Sequence, residues 1–239
     1  MNAFLYTIGL QWKLDIRSKA LLITCYLVPL LFFAVMGGIF SSVMPDARYT
    51  LIQNMTVFGV SMAALIGVPQ SIVEIYGSEI KKSYVANKMP LSVGVTTIFL
   101  SSFVHLLLMS TVIFVAAPLA FNAELPANVP LYFASLALFI AVSLSIGCAL
   151  GLLVKETAKL TMVAQVIFLP SIIMSGIMFP LELLPRVIVP FSRLIPATWG
   201  NMMMTAEGFV PLHLLPLLGM FAAMAVLCAL RLRKIRSAG

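Results

Sequence analysis

Apolar residues in this chain come in long continuous runs, not in the period-two alternation of a strand. Runs over residues 20–40, 51–73, 93–120, 131–154, 160–178 and 212–230 each match the roughly 20 residues that a helix needs to cross a hydrocarbon core about 30 Å thick. Unbroken runs predict helices and exclude a barrel, whose strands would alternate. The expected fold is an all-α integral membrane protein with six transmembrane helices, forming one transmembrane domain over residues 1–239.

Between the runs the pattern changes in informative ways. In residues 1–19, Leu5, Ile8, Trp12 and Ile16 share one helical stripe, while Gln11, Lys13, Arg17 and Lys19 lie largely elsewhere. This predicts an amphipathic helix lying in the membrane interface. The apolar run behind it is longer than the core of a secretion signal and carries no small-residue cleavage site, so the segment is expected to be retained. Within the spans, Pro29 permits a kink, Gly37 and Gly38 permit close packing, and Ser143, Gly147 and Gly151 form a small-residue stripe for another helix. Gln165, Ser171 and Ser175 are expected to face one way on the fifth span. From residue 179 to 211 prolines recur at 180, 185, 190, 196 and 211, too closely for a full span. That stretch is read as re-entrant or short helices on the outer side.

Residues 74–92, EIYGSEIKKSYVANKMPLS, separate the second and third runs and place two carboxylates and three lysines in a chain that is only 10% charged. Nineteen residues are too few to bury a core of their own, so this segment must lie against the membrane face or a partner. Ile80, Lys81, Lys82 and Tyr84 form a helix-compatible middle, and Pro90 stops that helix before the next span. Its residues Glu74, Gly77, Ser78, Glu79, Lys81, Lys82 and Lys88 make it a candidate docking element.

Composition and charge then set class and orientation. The sequence is 62% hydrophobic, against roughly 45–50% in soluble domains, with a mean hydropathy of +1.09. A net charge of +7 would suggest nucleic acid as partner in a soluble chain, but the cations here follow the loops. The amino-terminal helix, residues 74–92, the Lys155–Lys159 turn and the tail hold 12 of the 15 Lys and Arg, whereas the opposite loops hold Arg48, Arg186 and Arg193. Both termini and the charged segment are therefore expected in the cytoplasm. Cys25, Cys148 and Cys228 stand alone inside apolar runs and show neither pairing nor metal spacing.

Candidate chemistry is sparse. His105 is the one titratable side chain deep in the predicted spans and aligns with Thr97 and Ser101 at four-residue spacing, forming a polar stripe that serves either a substrate path or helix packing. No GxxxxGK[ST] phosphate loop occurs in the sequence, so an energy-driven transporter of this kind would use an ATPase in trans. No cofactor or metal ligand set is evident.

Two stretches resemble the type-2 ATP-binding-cassette (ABC) permeases, the six-span export subunits of bacteria. Glu74, Gly77, Ser78, Lys81, Pro90, Leu91 and Ser92 follow that family's acid, Gly-Thr/Ser step, basic residue and closing Pro-Val/Leu-Ser. Later, FPLELLP, with Phe179, Pro180, Glu182 and Pro185, followed by Pro196, Ala197 and Thr198, is similar to its Phe-Pro-x-x-x-x-Pro segment and Pro-Leu-Thr-Tyr step. The acid at 74 lacks the family's usual following Arg, and Trp199 replaces the commoner Tyr. The resemblance implies a permease without its own ATPase activity, paired with a second, identical or sister permease chain and with cytoplasmic ATPases that use ATP and Mg. It implies that residues 74–92 contain the coupling helix.

Fifteen methionines offer adaptable apolar surface, and no basic residue lies at membrane depth to balance a strongly anionic polymer. The expected cargo is hydrophobic or amphiphilic: a drug, an antibiotic peptide or a lipid. Two other classes compete. A passive channel or structural subunit would not need the charged segment. An intramembrane serine protease would use Ser61, in the step Gly59-Val60-Ser61, with His105 as its dyad.

Overall fold

The computed structural model describes residues 2–77, 90–178 and 184–237. Among these, six helices are long and apolar enough to cross a membrane. Helix α1 (Asn2–Arg17) leads through one turn, Lys19–Leu22, into the first span α2 (Ile23–Val43). The spans α3 (Leu51–Gly77), α4 (Ser92–Phe121), α5 (Val129–Leu153) and α6 (Thr157–Met174) follow. Short helices α7 (Val189–Ser192) and α8 (Pro196–Thr205) precede the last span, α9 (Pro211–Ser237). Alternating crossings place α1, the end of α3, the start of α4 and the end of α9 at one end of the bundle. Helices α7 and α8 lie at the other.

Local chemistry sets several of the helix ends. Asn122 terminates α4 in the left-handed region at φ 51°, where a short polar side chain is tolerated. Asn128 caps α5 by accepting the Leu131 N–H at 3.0 Å, with Pro130 in the first turn. Gly176, at φ 86°, lies just beyond α6. At the far end, α9 does not stop with its apolar run. It continues through the basic residues, with Lys234 and Arg236 in its last turn, where cations complement the helix dipole.

Spans α2 and α3 each contain a widened π-helical turn, Ile23–Leu27 and Ala63–Gly67. Each lies immediately before a Val-Pro pair, Val28-Pro29 and Val68-Pro69. Proline cannot donate to the carbonyl four residues back and its ring crowds that carbonyl, so an extra residue in the preceding turn relieves the clash. The two turns face one another: a β-carbon on Gly67 would come within 2.9 Å of Thr24 Oγ1.

Packing centres on α3 and α5. In its most apolar stretch α3 is 78% buried by protein, whereas α9 is 6% buried. The stripe Ser143, Gly147 and Gly151 is buried and lies against α3. A β-carbon at Gly147 would collide with the Ala64 carbonyl oxygen, and one at Gly151 would lie 2.7 Å from the Pro69 carbonyl oxygen. Small residues here let two backbones approach at membrane depth. Phe32 stacks on Phe58 at 3.6 Å and joins α2 to the same core. Outward, α2 exposes Leu27, Leu31 and Val35, and α6 exposes Met162, Val166 and Leu169, as lipid-facing helices do.

Two expected faces differ. Gln165 is exposed while Ser171 and Ser175 are buried, because six helical residues turn by roughly 600°, which puts residue 165 off the face of residue 171. On α1, Leu14 and Ile16 point outward and Asp15 is buried. The side turned toward the protein is therefore polar as well as aromatic, and Ile16, one turn after Trp12, stays largely exposed.

Candidate coupling face

The charged segment begins where α3 ends and closes where α4 begins, and both flanks are held by one side chain. Tyr76, in the last turn of α3, donates its hydroxyl hydrogen to the Leu91 carbonyl oxygen and accepts the Val95 N–H at 3.2 Å. Leu91 is buried and Pro90 exposed. Gly94 leaves room for the ring: a β-carbon there would lie 3.0 Å from the Tyr76 hydroxyl. A tyrosine at the end of a span can pack its ring in the interface and use its hydroxyl on backbone groups. The two ends of residues 77–90 are thus fastened together, so a load applied to the segment reaches α3 and α4 jointly.

Of the candidate coupling residues, Glu74 and Gly77 stand exposed beside this fastening, as does Pro90. Ser78, Glu79, Lys81, Lys82 and Lys88 lie outside the described residues. In the late motif, Phe179, Pro180 and Glu182 are also outside them. Pro185 is exposed at the start of a turn in which the Ile188 N–H reaches the Pro185 carbonyl at 2.8 Å. Pro196 occupies the first turn of α8, and Thr198 is buried with its hydroxyl on the Ser192 carbonyl at 2.7 Å.

Beside the Tyr76 fastening, α1 is held to α4 by a buried polar group that the sequence pattern did not reveal. Asp15 accepts the Ser101 hydroxyl hydrogen at one oxygen and the Gln11 side-chain N–H at the other, 2.8 Å away. One turn further along α4, His105 Nδ1 lies 2.7 Å from the Tyr26 hydroxyl of α2, and its ring stacks on Trp12 at 4.1 Å with the planes 6° apart. Thr97 returns its hydroxyl to the Val93 and Gly94 carbonyls. The polar stripe of α4 therefore meets α1 and α2. Buried polar groups at this depth need such partners.

That geometry also removes the Ser61–His105 dyad. Nδ1 of His105 is engaged by Tyr26, one ring face is covered by Trp12, and Nε2 has no hydrogen-bond partner among the described residues. Ser61 is buried in α3 and makes no bond to this ring. Among the described residues no group of three metal-binding side chains occurs.

At the opposite end, a cavity of about 610 Å³ opens between the ends of α2, α3, α6 and α8. Phe40, Met44 and Met178 supply apolar wall, and Asn54, Asn201 and Thr205 supply polar positions. Its mixed lining suits a molecule with apolar and polar parts.

Comparison with known proteins agrees with this architecture. The model of the family described as "ABC-2 type transporter" matches residues 3–209, which includes α1, the charged segment and the late proline motif. A 106-residue stretch, 44% of this chain, is 29% identical to ABC transporter G family member 20 of Dictyostelium discoideum and covers 14% of that protein's length. With the matched region running from α1 through α8, the chain belongs to the ABC-2 type transporter family and is a membrane-spanning component of an ABC transporter.

Proposed function

We propose that this chain is the permease of an ATP-driven exporter, carrying a hydrophobic or amphiphilic compound outward by alternating access. A separate cytoplasmic ATPase uses ATP and Mg, and a second permease chain completes the pathway. Residues 74–92 dock on that ATPase from the cytoplasmic side of a bacterial cytoplasmic membrane, where both termini also lie. The observation that carries this reading is the Tyr76 fastening at the two ends of a charged segment. A docking element transmits motion only if its base is stiff, and here one hydroxyl joins the base to two spans. The mixed lining of the outer cavity supports an amphiphilic cargo.

Affinity purification of the tagged chain from native membranes in a mild detergent tests the docking role. A phosphate-loop ATPase should co-purify, and Lys81→Glu with Lys82→Glu should remove it, or leave it bound with ATP hydrolysis no longer driving transport. Membrane insertion should be unchanged. Normal transport by the charge-reversed protein would refute the docking role. Absence of any ATPase, where other membrane complexes survive the same detergent, would favour the passive channel.

A further inference from the structure

Three cations lie at the outer end of the bundle, and they are used differently. Arg48 is satisfied locally: its Nη2 donates to the Tyr49 hydroxyl at 3.0 Å, and its Nε lies 3.9 Å from Glu124. Arg186 and Arg193 have no ion pair among the described residues. Both instead line a second outer cavity, of about 370 Å³, together with Leu184, Ser192, Thr198 and Met202.

Their backbones are fixed. Arg186 sits inside the turn closed by Ile188 N–H on the Pro185 carbonyl, and the Arg193 carbonyl accepts the Trp199 indole N–H at 2.6 Å. The Ser192 and Thr198 hydroxyls are already committed to the carbonyls of Val189 and Ser192. Among the described residues, the cavity's free side-chain donors are thus the two guanidinium groups, which suit an oxyanion able to accept paired N–H bonds.

The surroundings identify the anion's source. Val187, Phe191 and Leu194 are 77%, 58% and 73% exposed, at spacings of four and three residues between the two arginines or directly beside them. Large apolar side chains left bare at the end of a membrane bundle, flanked by cations, describe an element resting in the lipid interface. A soluble anion would gain nothing from them, whereas a phospholipid presents a phosphate and acyl chains together.

We propose that Arg186 and Arg193 form a binding site for the phosphate of an anionic phospholipid headgroup in the leaflet opposite the termini, with Val187, Phe191 and Leu194 against its acyl chains. This site depends on the six-span topology and not on the identity of the exported compound, so it stands or falls separately from the exporter reading.

The sequence has two tryptophans, and Trp199 is bonded to Arg193 itself. In a Trp12→Phe background, Trp199 emission would be followed as the full-length protein in detergent is titrated with brominated phosphatidylglycerol or brominated phosphatidylcholine. Half-quenching should need roughly thirtyfold less phosphatidylglycerol, given ~1 kcal/mol for each of the two arginines near an anionic headgroup. Arg186→Gln with Arg193→Gln should erase the preference at an unchanged thermal midpoint, and Arg→Lys at both positions should retain part of it. Equal quenching by the two lipids in the arginine-bearing protein would overturn the site, even if the glutamine variant failed to fold. A preference surviving in a folded glutamine variant would do the same, and loss of the preference on adding micromolar inorganic phosphate would assign the pocket to a soluble anion and refute the lipid.

Discussion

At the scale of single residues, Asp15 shows how a side chain can be decisive without being conspicuous. It is the only acid among the first 45 residues, on a helix whose pattern reads as cationic and interfacial, and it is 5% exposed. Burying a carboxyl group is unfavourable unless its oxygens are satisfied, and Ser101 with Gln11 provides two donors. The consequence is an expected ranking in thermal unfolding of the solubilised protein. Asp15→Ala should cost about 2–4 kcal/mol and Ser101→Ala about 1–2 kcal/mol, because the first orphans two donors and the second removes one. The double variant should fall short of their sum by about 1 kcal/mol, as expected for partners in contact. Strict additivity would sink the pairing. His105 was legible as a buried polar residue from hydropathy alone, but its partners were not: Trp12 and Tyr26 lie 93 and 79 positions away in sequence, and no local period encodes such a meeting.

Among elements, the six spans were legible because hydrocarbon thickness imposes a length that a run of apolar letters displays directly. The small-residue stripe of α5 was legible for a related reason, since Ser143, Gly147 and Gly151 repeat at the helix period. What local pattern concealed was whatever depends on a neighbour: the polar inner side of α1, the face of Gln165, and Tyr76. Pro29 suggested a kink, and the structure shows a π-helical turn just before it and another just before Pro69. Tyr76 lay inside the segment recognised as the docking element yet carries no charge to mark it. Its hydrogen bonds to Leu91 and Val95 make a testable claim about coupling. Tyr76→Phe keeps the ring and removes both bonds, which should cost about 1–3 kcal/mol of local stability. In proteoliposomes containing the assembled transporter, transport per ATP hydrolysed should drop several-fold while ATP turnover and the amount of inserted protein hold near wild type. Unchanged transport per ATP would show that the base of the segment need not be fastened.

For the molecule as a whole, the two ends of the bundle differ in what holds them. The end holding the termini is bound together by polar contacts among α1, α2, α3 and α4. The other end has a cavity of mixed lining and an apolar, arginine-bearing rim. Ser61 lies in α3 between these ends, and its fate distinguishes the whole-molecule readings. If it were a nucleophile, it would need a base with a free nitrogen aimed at it, a third group to orient that base, and access for a peptide substrate. Instead it is 3% exposed, and the imidazole proposed as its base is held between Tyr26 and Trp12. Ser61→Ala removes one hydroxyl from a packed span and should leave ATP-dependent transport within about twofold of wild type, the range expected when under ~0.5 kcal/mol is lost. The comparison needs equal amounts of inserted protein and the same ATPase turnover in both samples. A large loss of transport under those conditions would mean that the Ser61 hydroxyl touches the moving cargo, and the pathway would then run along α3 rather than beside it.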